Sequence, residues 1–435
     1  MTAKDHHMVE VLRGAGIAFV LRGIGAGLAF ALNVVIGRML GAEGAGLYFL
    51  ALSVASIGAV VTKLGLDNTL LRFVAAGASL ADWNRVVGAF RTGTRLAGAA
   101  SLGGAITVFA AAPLMSEHLF GEPALVGPFR AISAGIFTFA MMMLLSECLK
   151  GLKRIRDSML VSGVLYPLIA LVLIWPLASL FGPTGAALAY VLGTGGAAAI
   201  GYAMWRANIR NHAAPEPAFE RATLWQSARP LWVMDLINRA VLPWAPLFLL
   251  GIWGTAADAG VFAAATRVSM IIALFYTASI TILVPKYAEL YNTGQIDMLG
   301  QVARRSALTF TLAGLPVLAA LFYFRLDVML LFGRDFGSGA PVLAILLISQ
   351  MTLLLMGSMG YILLVSGHFR EMRNVAIIAA FFMLIAALTL TPIYTSTGAA
   401  ISAAIGVAAM SFGNTIFVHR RLGISLISPG ELQQK

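Results

Sequence analysis

Apolar segments of roughly 20 residues recur along almost the entire chain, and this is the length that an α-helix needs to cross the hydrocarbon core of a bilayer. The segments predict twelve transmembrane helices. They lie at residues 14–36, 46–65, 88–112, 127–148, 159–180, 184–204, 230–252, 259–284, 304–324, 340–365, 375–392 and 397–418. Only 11% of the 435 residues are charged, compared with about a quarter in a typical soluble domain. We therefore predict a polytopic membrane protein.

The distribution of positive charge agrees with this count. If both termini are cytoplasmic, the inner connections and termini carry 23 of the 30 Lys and Arg residues. The outer connections carry only Arg38, Arg130, Arg325 and Arg334. An excess of Lys and Arg in cytoplasmic loops is the general rule for membrane proteins. The net charge of +11 is therefore interpreted as a sign of topology, and no nucleic-acid partner is predicted.

The two halves of the chain resemble each other. Residues 36–57 align without gaps on residues 250–271, with identity at seven of 22 positions, including Ala42 with Ala256 and Gly46 with Gly260. Further matches at spacings of 212 to 216 residues are LFG at Leu119 and Leu331, TGAA at Thr184 and Thr397, and Gly151 with Gly367. This interval contains six predicted spans. An even number of spans gives both repeats the same orientation in the membrane.

The predicted fold is therefore an all-α polytopic membrane protein with twelve transmembrane helices, arranged as two parallel-repeat six-helix lobes around a central cavity. Residues 1–205 form the N-terminal lobe, 206–229 a polar, Pro-containing cytoplasmic linker, and 230–435 the C-terminal lobe. The first apolar run is interpreted as an uncleaved span and not as a signal peptide, because it contains Arg22 and stays apolar to Ile36.

Sequence signals of an enzyme are absent. The chain has no Gly-rich phosphate loop with a following Lys and no His/Glu metal pair, and its single cysteine, Cys148, permits neither an internal disulfide nor a cysteine-based metal site. No catalytic residue, metal or cofactor is predicted.

Arginines within the spans are the strongest candidates for function. A charged side chain near the centre of a membrane helix costs about 2.5–3.5 kcal/mol, so it is normally paired or faces a polar cavity. Arg22, Arg239 and Arg267 occupy such positions. A guanidinium offers a planar fork of donors that holds phosphate bidentately. We predict that these arginines line a cavity that binds the anionic, phosphate-bearing headgroup of a substrate.

Asp235 leaves two interpretations open. It lies four residues before Arg239, on the same helical face, where the two charges would neutralise each other. Alternatively, it takes up a proton or a cation during transport, as intramembrane carboxylates do in proton relays.

A second group of arginines lies at the predicted inner mouth of the spans. The group comprises Arg72, Arg85, Arg91 and Arg95 in the first half and Arg304 and Arg305 in the second. Positive-inside anchoring accounts for these residues. The alternative is an electrostatic funnel that draws an anionic lipid head towards the cavity.

Several segments resemble those of the polysaccharide-export branch, the O-antigen flippase type, of the multidrug, oligosaccharidyl-lipid and polysaccharide exporter superfamily. They are GRMLGAEGAGLYFLA, KLGLDNTLLRFVA, FLLGIWGTAADAGVFAAATRV, ITILVPKYAELYNTG, LFGRDFGSGAPVLAIL and LLVSGHFR. The resemblance implies alternating access by two six-helix lobes that move a polyprenyl-diphosphate-linked oligosaccharide across the bacterial inner membrane. It also implies that arginines in the cavity attract the diphosphate. The implied partners are membrane lipids and polysaccharide polymerase machinery, and the implied coupling ion is H⁺ or Na⁺.

Three alternatives stay open at this point. Multidrug exporters of the superfamily commonly place an acidic residue in the first span, and residues 14–36 contain none. Lipid II flippases have fourteen spans, whereas twelve are predicted here. The third alternative is a membrane scaffold that transports nothing.

Overall fold

The computed structural model describes residues 3–212 and 221–425, and these residues form helices without any strand. In a bilayer every backbone N–H and C=O has to be satisfied internally, which a helix achieves within one segment. The α-helices are α1 (Ala3–Lys63), α2 (Leu66–Ser79), α3 (Trp83–Leu114), α4 (Val126–Gly151), α5 (Ile155–Met159), α6 (Tyr166–Ile209), α7 (Arg221–Asp235), α8 (Leu242–Trp253), α9 (Ala256–Asn292), α10 (Ile296–Tyr323), α11 (Arg325–Leu330), α12 (Ala340–Met356), α13 (Met359–Val365) and α14 (Phe369–Leu422). π-Helical turns occupy Met115–Leu119, Leu160–Leu165 and Leu236–Val241, and 3₁₀ turns occupy Pro123–Leu125, Arg210–His212 and Arg334–Gly339.

Nine helices in the described part of the chain are long and apolar enough to cross a membrane. Three of these, with 44, 55 and 54 residues, are Val20–Lys63, Ile155–Ile209 and Phe369–Leu422. Because about 20 residues suffice for one crossing, each is long enough for two. Each also contains one residue with a non-helical backbone, namely Gly41, Gly182 and Thr395. These residues fall between consecutive predicted spans, and the count of twelve stays a prediction.

The helices expose apolar side chains on a large scale. In the most apolar windows of the candidate spans Trp83–Leu119 and Ile155–Ile209, only 22% and 28% of the residues are buried. Large side chains such as Val172, Trp175 and Leu180 lie on the surface. Soluble proteins rarely expose contiguous apolar surface of this kind, whereas lipid-facing helices do. The prediction of an all-helical, multi-pass membrane protein is confirmed.

The turns between helices repeat along the chain. Lys153, after α4, and Gly367, after α13, both have a positive φ, at 60° and 77°. The two turns have the same hydrogen bonds, displaced by 214 residues. The N–H groups of residues 152, 153 and 154 donate to the carbonyls of residues 148, 150 and 149, respectively. The N–H groups of residues 366, 367 and 368 donate to the carbonyls of residues 362, 364 and 363, respectively. The structural equivalent of Gly367 is therefore Lys153. The sequence-based pairing of Gly151 with Gly367 is wrong by two residues, because the copies share a left-handed backbone and not a residue type.

Other turns are duplicated at nearly the same interval. Pairs of residues with positive φ are Ala81 with Gly294, Gly121 with Gly333, and Gly182 with Thr395. A Cβ added to Gly185 would overlap the carbonyl oxygen of Leu177, and one added to Gly398 would overlap that of Leu390. The same close backbone approach therefore follows the Gly182 and Thr395 bends. Gly121 and Gly333 are the glycines of the LFG motifs, and Gly185 and Gly398 are those of the TGAA motifs, so these motifs coincide with equivalent turns. Ala81 with Gly294 extends the repeat to a turn that no sequence motif marks.

The described residues pack into two compact units. The first comprises Met1–Trp244 with Thr255–Gly260, and the second comprises Ala245–Gly254 with Val261–Lys435. The predicted division at 1–205, 206–229 and 230–435 follows the sequence repeat and stays a prediction. The boundary by packing lies later in the chain, because α7 contributes Leu224 and Ala228 to the core of the first unit.

Each unit has a core of its own. In the first unit, Trp205 stacks on Phe90 with ring centroids 4.3 Å apart, inside a cluster drawn from α2, α3, α4, α6 and α7. In the second unit, Tyr287 and Met359 are fully buried in a cluster drawn from α9, α10, α13 and α14.

Within the first unit, the two matched Ala-x-x-x-Gly sequences cross each other. A Cβ on Gly46 would overlap the carbonyl oxygen of Ala256, and a Cβ on Gly260 would overlap that of Ala42. The contact is symmetric, because the glycine of each repeat packs against the alanine of the other. Small residues at this spacing allow helix backbones to approach closely. The crossing therefore depends on both glycines.

Candidate functional site

Four charged residues of the first unit form one connected network of ion pairs. Lys63 Nζ lies 2.6 Å from Asp67 Oδ2. Arg239 Nη1 lies 3.3 Å from the same oxygen, and Arg239 Nε lies 3.2 Å from Asp235 Oδ1. The guanidinium therefore bridges two carboxylates that are 168 positions apart in the sequence. The four-residue spacing predicts the pair of Asp235 with Arg239, and the structure adds Asp67 as a second partner of Arg239.

A break in the helix places Asp67 in this network. Leu64 and Gly65 have positive φ values of 56° and 68°, so α1 ends at Lys63 and α2 starts at Leu66. The pair Lys63–Asp67 therefore spans a turn and not a helical face. Asp67 lies in the first turn of α2, where the helix dipole favours a negative charge.

Close packing of α7 against Gly65 brings in the second half of the network. A Cβ on Gly65 would lie only 2.7 Å from both the carbonyl oxygen of Ala228 and the backbone nitrogen of Trp232. The Trp232 indole Nε1–H donates to the carbonyl oxygen of Val61 at 3.0 Å. Glycine at position 65 thus permits both the turn and the contact. As a result, Asp235, at the end of α7, and Arg239 lie beside Asp67.

Arg239 sits in a π-helical turn, Leu236–Val241, which is followed by Pro243. In a regular α-helix the ring of Pro243 would clash with the carbonyl of Arg239, and proline has no N–H to donate to it. The wider π turn relieves this conflict. The turn at Leu160–Leu165 precedes Pro167 in the same way. Such π turns often occur at functional sites.

The network is buried at one end and open at the other. The side chains of Lys63 and Asp67 are 2% and 1% exposed, whereas that of Arg239 is 47% exposed. Asp67 lies beyond the candidate span Val20–Lys63. Burial alone would raise the pKa of Asp67, but the Lys63 ammonium and the Arg239 guanidinium hold it below its ordinary value.

Two carboxylate oxygens of the network are buried without a hydrogen-bond partner among the described residues. They are Asp67 Oδ1 and Asp235 Oδ2. An unsatisfied buried acceptor costs about 1–3 kcal/mol, and more if it is charged. The network therefore has unused capacity to accept a proton or a cation.

The structure does not join Arg22 to this network. Arg22 is exposed within the candidate span Val20–Lys63, and no ion pair links it to a side chain that the structure describes from residue 20 onwards. Arg267 belongs to the second unit, where it is half-buried and its Nη1 lies 3.9 Å from the sulfur of Met270. Convergence of Arg22, Arg239 and Arg267 on one cavity stays a prediction.

The predicted funnel residues occupy different settings. Arg91 and Arg95 are exposed one turn apart on α3. Arg305 is exposed on α10, and Arg304 donates from Nη1 to the carbonyl oxygen of Ser425 at 3.1 Å. Arg72 lines a small cavity together with Arg85. The funnel as a functional unit stays a prediction.

Sequence reasoning misses Lys63 and Asp67 as site residues, although both lie in the segment KLGLDNTLLRFVA. Opposite charges four residues apart at the end of an apolar span were a usable signal. The bridge to Arg239 had no signal in the sequence, since it depends on the docking of α7. Within the described residues, no group of three or more His, Cys, Asp and Glu side chains is arranged to hold a metal ion.

Comparison with solved structures identifies the fold. The chain is similar to an inward-facing multidrug resistance MATE family transporter of the MOP superfamily, with a TM-score of 0.72 and 17% identity over 93% of this chain and 98% of that one. The lipid II flippase MurJ, in an inward closed conformation, has a TM-score of 0.69 and 10% identity over 92% and 87%. A MOP superfamily transporter from Pyrococcus furiosus, described as having a binding pocket of reverse polarity that suggests a different function, has a TM-score of 0.63 and 17% identity over 94% and 95%. At these identities the similarity establishes the fold alone.

Comparison of sequences identifies the family. No curated protein sequence matches the chain. A profile of the family described as "Polysaccharide biosynthesis protein" matches residues 11–291, which is more than half of the chain. This match includes Arg22, the whole ion-pair network and Arg267. The chain therefore belongs to the polysaccharide biosynthesis protein family, with the fold of MOP superfamily transporters.

Proposed function

We propose that this protein is a flippase that moves a polyprenyl-diphosphate-linked oligosaccharide across the bacterial inner membrane by alternating access, for the synthesis of a surface polysaccharide such as O-antigen. Family membership supports a role in polysaccharide synthesis. The fold shared with MATE and MurJ transporters supports movement of a substrate and not catalysis. Similar proteins are described in inward-facing and inward closed conformations, which supports alternating access.

The observation that carries the proposal is the setting of Arg22. Its guanidinium is exposed within a candidate span and forms no ion pair with any side chain that the structure describes from residue 20 onwards. In the predicted span 14–36 Arg22 lies near mid-depth, where an arginine costs about 2.5–3.5 kcal/mol unless it faces water or meets an anion. The diphosphate of a lipid-linked sugar supplies that anion. Arginine is suited to this role because its fork of donors binds phosphate oxygens bidentately.

Arg239 is the second proposed diphosphate ligand. Its ion pairs engage Nε and Nη1, which leaves the N–H groups of Nη2 for an anion at the exposed side of the network. Arg267 is proposed to bind diphosphate in the same way. Arg72, Arg91, Arg95, Arg304 and Arg305 act as the funnel that concentrates anionic headgroups at the inner mouth.

Asp235 is the proposed site of ion coupling. Its Oδ2, like the Oδ1 of Asp67, is buried without a hydrogen-bond partner among the described residues and is available to a proton or Na⁺. Uptake of a proton by Asp235 would remove one of the two carboxylates that hold Arg239, and would thereby release the guanidinium towards substrate. We expect the pH dependence of transport by wild type to be lost in Asp235→Asn. Identical pH profiles for the two proteins would remove Asp235 from coupling.

The test replaces Arg22 and Arg239 singly by Ala and by Lys in a strain that depends on this gene for surface polysaccharide. Both Ala variants should abolish export, and the Lys variants should retain part of it, because lysine keeps the charge and loses the fork. Arg156→Gln is the control, since Arg156 is exposed and has no assigned role. Full export by all four variants at matched protein levels would refute the assignment.

An ion-coupled drug antiporter is the second candidate, because a multidrug MATE transporter is among the similar structures. Cationic drugs would require an acidic or apolar cavity, and residues 14–36 contain no acidic residue. Drug resistance conferred by the gene in a strain without surface polysaccharide would favour this candidate. A lipid II-type flippase is the remaining alternative, and rescue of a strain that lacks its own lipid II flippase would favour it.

A further inference from the structure

Two arginines of the first unit line one small cavity. The cavity has a volume of about 150 Å³ and is formed by α2, α3 and α7, with Arg72, Arg85 and Ser227 among its lining residues. Arg85 also lies over the ring of Phe73, 5.4 Å from its centroid, which fixes the position of its guanidinium. The lining contains no carboxylate.

The carboxylates next to this cavity in the sequence are already engaged. Asp67 pairs with Lys63 and Arg239. Asp82 Oδ1 accepts a hydrogen bond from the backbone N–H of Arg85 at 3.0 Å, as the N-cap of α3. No ion pair joins Arg72 or Arg85 to a described residue. Arg72 is exposed and Arg85 is half-buried, so the cavity carries an excess of positive charge that an anion can enter and offset.

We propose that this cavity binds a phosphate group, held between Arg72 and Arg85 with the hydroxyl of Ser227 as a further donor. Guanidinium forks from two directions match the oxygens of a tetrahedral phosphate. The hydroxyl of Thr69 donates to the carbonyl oxygen of Gly65 at 3.0 Å, so it forms a wall of the cavity and competes little for the anion.

The cavity lies where candidate spans start and end. The span Val20–Lys63 ends just before α2, and the spans Trp83–Leu119 and Ala222–Trp253 start within a few residues of Arg85 and Ser227. Trp225 and Trp232 of α7 lie close by, with ring centroids 6.1 Å apart, and tryptophan is enriched at membrane interfaces. This level is where lipid headgroups sit, so the phosphate is carried by an acidic phospholipid or is free in solution.

A phosphate in this cavity would hold α7 against α2 and α3. The same α2–α7 contact carries Asp67 and Asp235 of the ion-pair network. The cavity shares Arg72 with the proposed funnel but contains neither Arg22 nor Arg239, so binding of phosphate here can be tested separately from transport.

Thiol protection in the purified full-length protein tests the proposal. Ala76→Cys introduces a reporter into the lining of the cavity without removing a proposed ligand, and the native Cys148 is fully buried and should react only slowly. The rate of alkylation by N-ethylmaleimide is measured with dioctanoyl phosphatidylglycerol, with dioctanoyl phosphatidylcholine, with inorganic phosphate, and with chloride at equal ionic strength. At a ligand concentration of about four times Kd, alkylation should slow about fivefold, because only the unbound fraction reacts.

Protection by phosphatidylglycerol alone assigns a lipid headgroup, and equal protection by inorganic phosphate assigns free phosphate. In either case Arg72→Gln and Arg85→Gln should abolish the protection. Arg130→Gln is the matched control, since Arg130 also lies over an aromatic ring, 5.5 Å from the centroid of Phe109, and does not line this cavity. If a Gln variant does not fold, the corresponding Lys variant should show reduced protection. No protection by any phosphate ligand, or protection that survives loss of both arginines, would overturn the proposal.

Discussion

Lys63 and Asp67 form an ion pair of 2.6 Å whose two side chains are almost completely withdrawn from solvent, at 2% and 1% exposure. Such a pair is costly to bury, and its two members are much more costly to separate. The pair anchors one end of a network whose other end, Arg239, reaches the surface. Neutral total charge keeps the network compatible with its apolar surroundings.

Removal of Asp67 should be strongly destabilising. Asp67→Ala leaves the Lys63 ammonium buried without its carboxylate, which should lower the free energy of unfolding by about 3–5 kcal/mol. Replacement of both residues by apolar ones, as in Lys63→Met with Asp67→Leu, should recover most of this loss. Denaturant unfolding in detergent measures the difference. Equal stability of wild type and Asp67→Ala would show that the pair contributes nothing.

The contribution of Asp67 should depend on pH in a defined direction. Its pKa is lower in the folded protein than in the unfolded chain, where the usual value is about 3.9. Folding therefore gains stability that is fully present above about pH 4 and is lost as the pH falls through the folded-state pKa. The stability gap between wild type and Asp67→Asn should be constant near neutral pH and should shrink in acid. A gap that widens in acid would contradict this sign.

Gly65→Ala should detach α7 from α2. The new Cβ would meet the backbone of Ala228 and Trp232 at 2.7 Å, at a residue whose φ is +68°. Gly121→Ala is the matched control, because Gly121 has a φ of +61° with nothing within 4 Å of its Cβ position. The free energy of unfolding of the control should therefore fall only by the cost of the left-handed backbone, about 1–2 kcal/mol, and that of Gly65→Ala should fall clearly further. Thermal unfolding followed by tryptophan fluorescence compares the two, and equal losses would rule out the close contact.

The Gly46–Gly260 crossing should tolerate no side chain. Gly46→Ala and Gly260→Ala each place a Cβ on a backbone carbonyl oxygen, and a backbone cannot move aside as a flexible side chain can. Gly103→Ala, where nothing lies within 4 Å, should be neutral or slightly stabilising. The yield of monodisperse protein and its melting temperature report the effect. Wild-type behaviour of either crossing variant would show that the helices do not meet there.

Lys153→Gly should stabilise the protein. Lys153 has a left-handed backbone at φ +60°, where its equivalent in the second repeat is Gly367. Relief of this strain should gain about 1 kcal/mol, provided that the added freedom of the unfolded chain does not offset it. The reverse change, Gly367→Lys, should lose a similar amount. Melting temperatures that shift in the same direction for both variants would argue against the proposed equivalence.

Local and global features of this protein differed in how well they could be predicted. The apolar segments, the helical class and the Asp235–Arg239 pair are properties of short stretches, and all were evident from the sequence. The contact of Arg239 with Asp67 joins residues 172 positions apart and requires the turn at Leu64 and Gly65, which propensity alone does not position. The repeat was visible, but its register near Lys153 was not. Near Lys153 the two copies share a backbone conformation but not a residue type, and a comparison of sequences detects only residue types.

The membership of α7 in the first unit has a consequence for biosynthesis. Chains of this kind emerge from the ribosome N-terminal part first. The core of the first unit includes Leu224 and Ala228, and its ion-pair network includes Asp235 and Arg239. The predicted spans up to residue 204 therefore reach the membrane before the residues that complete their packing have emerged from the ribosome. During that interval Asp67 lacks Arg239, and the surface of Gly65 is uncovered. The packing of the first unit is therefore completed only after α7 and Arg239 have emerged.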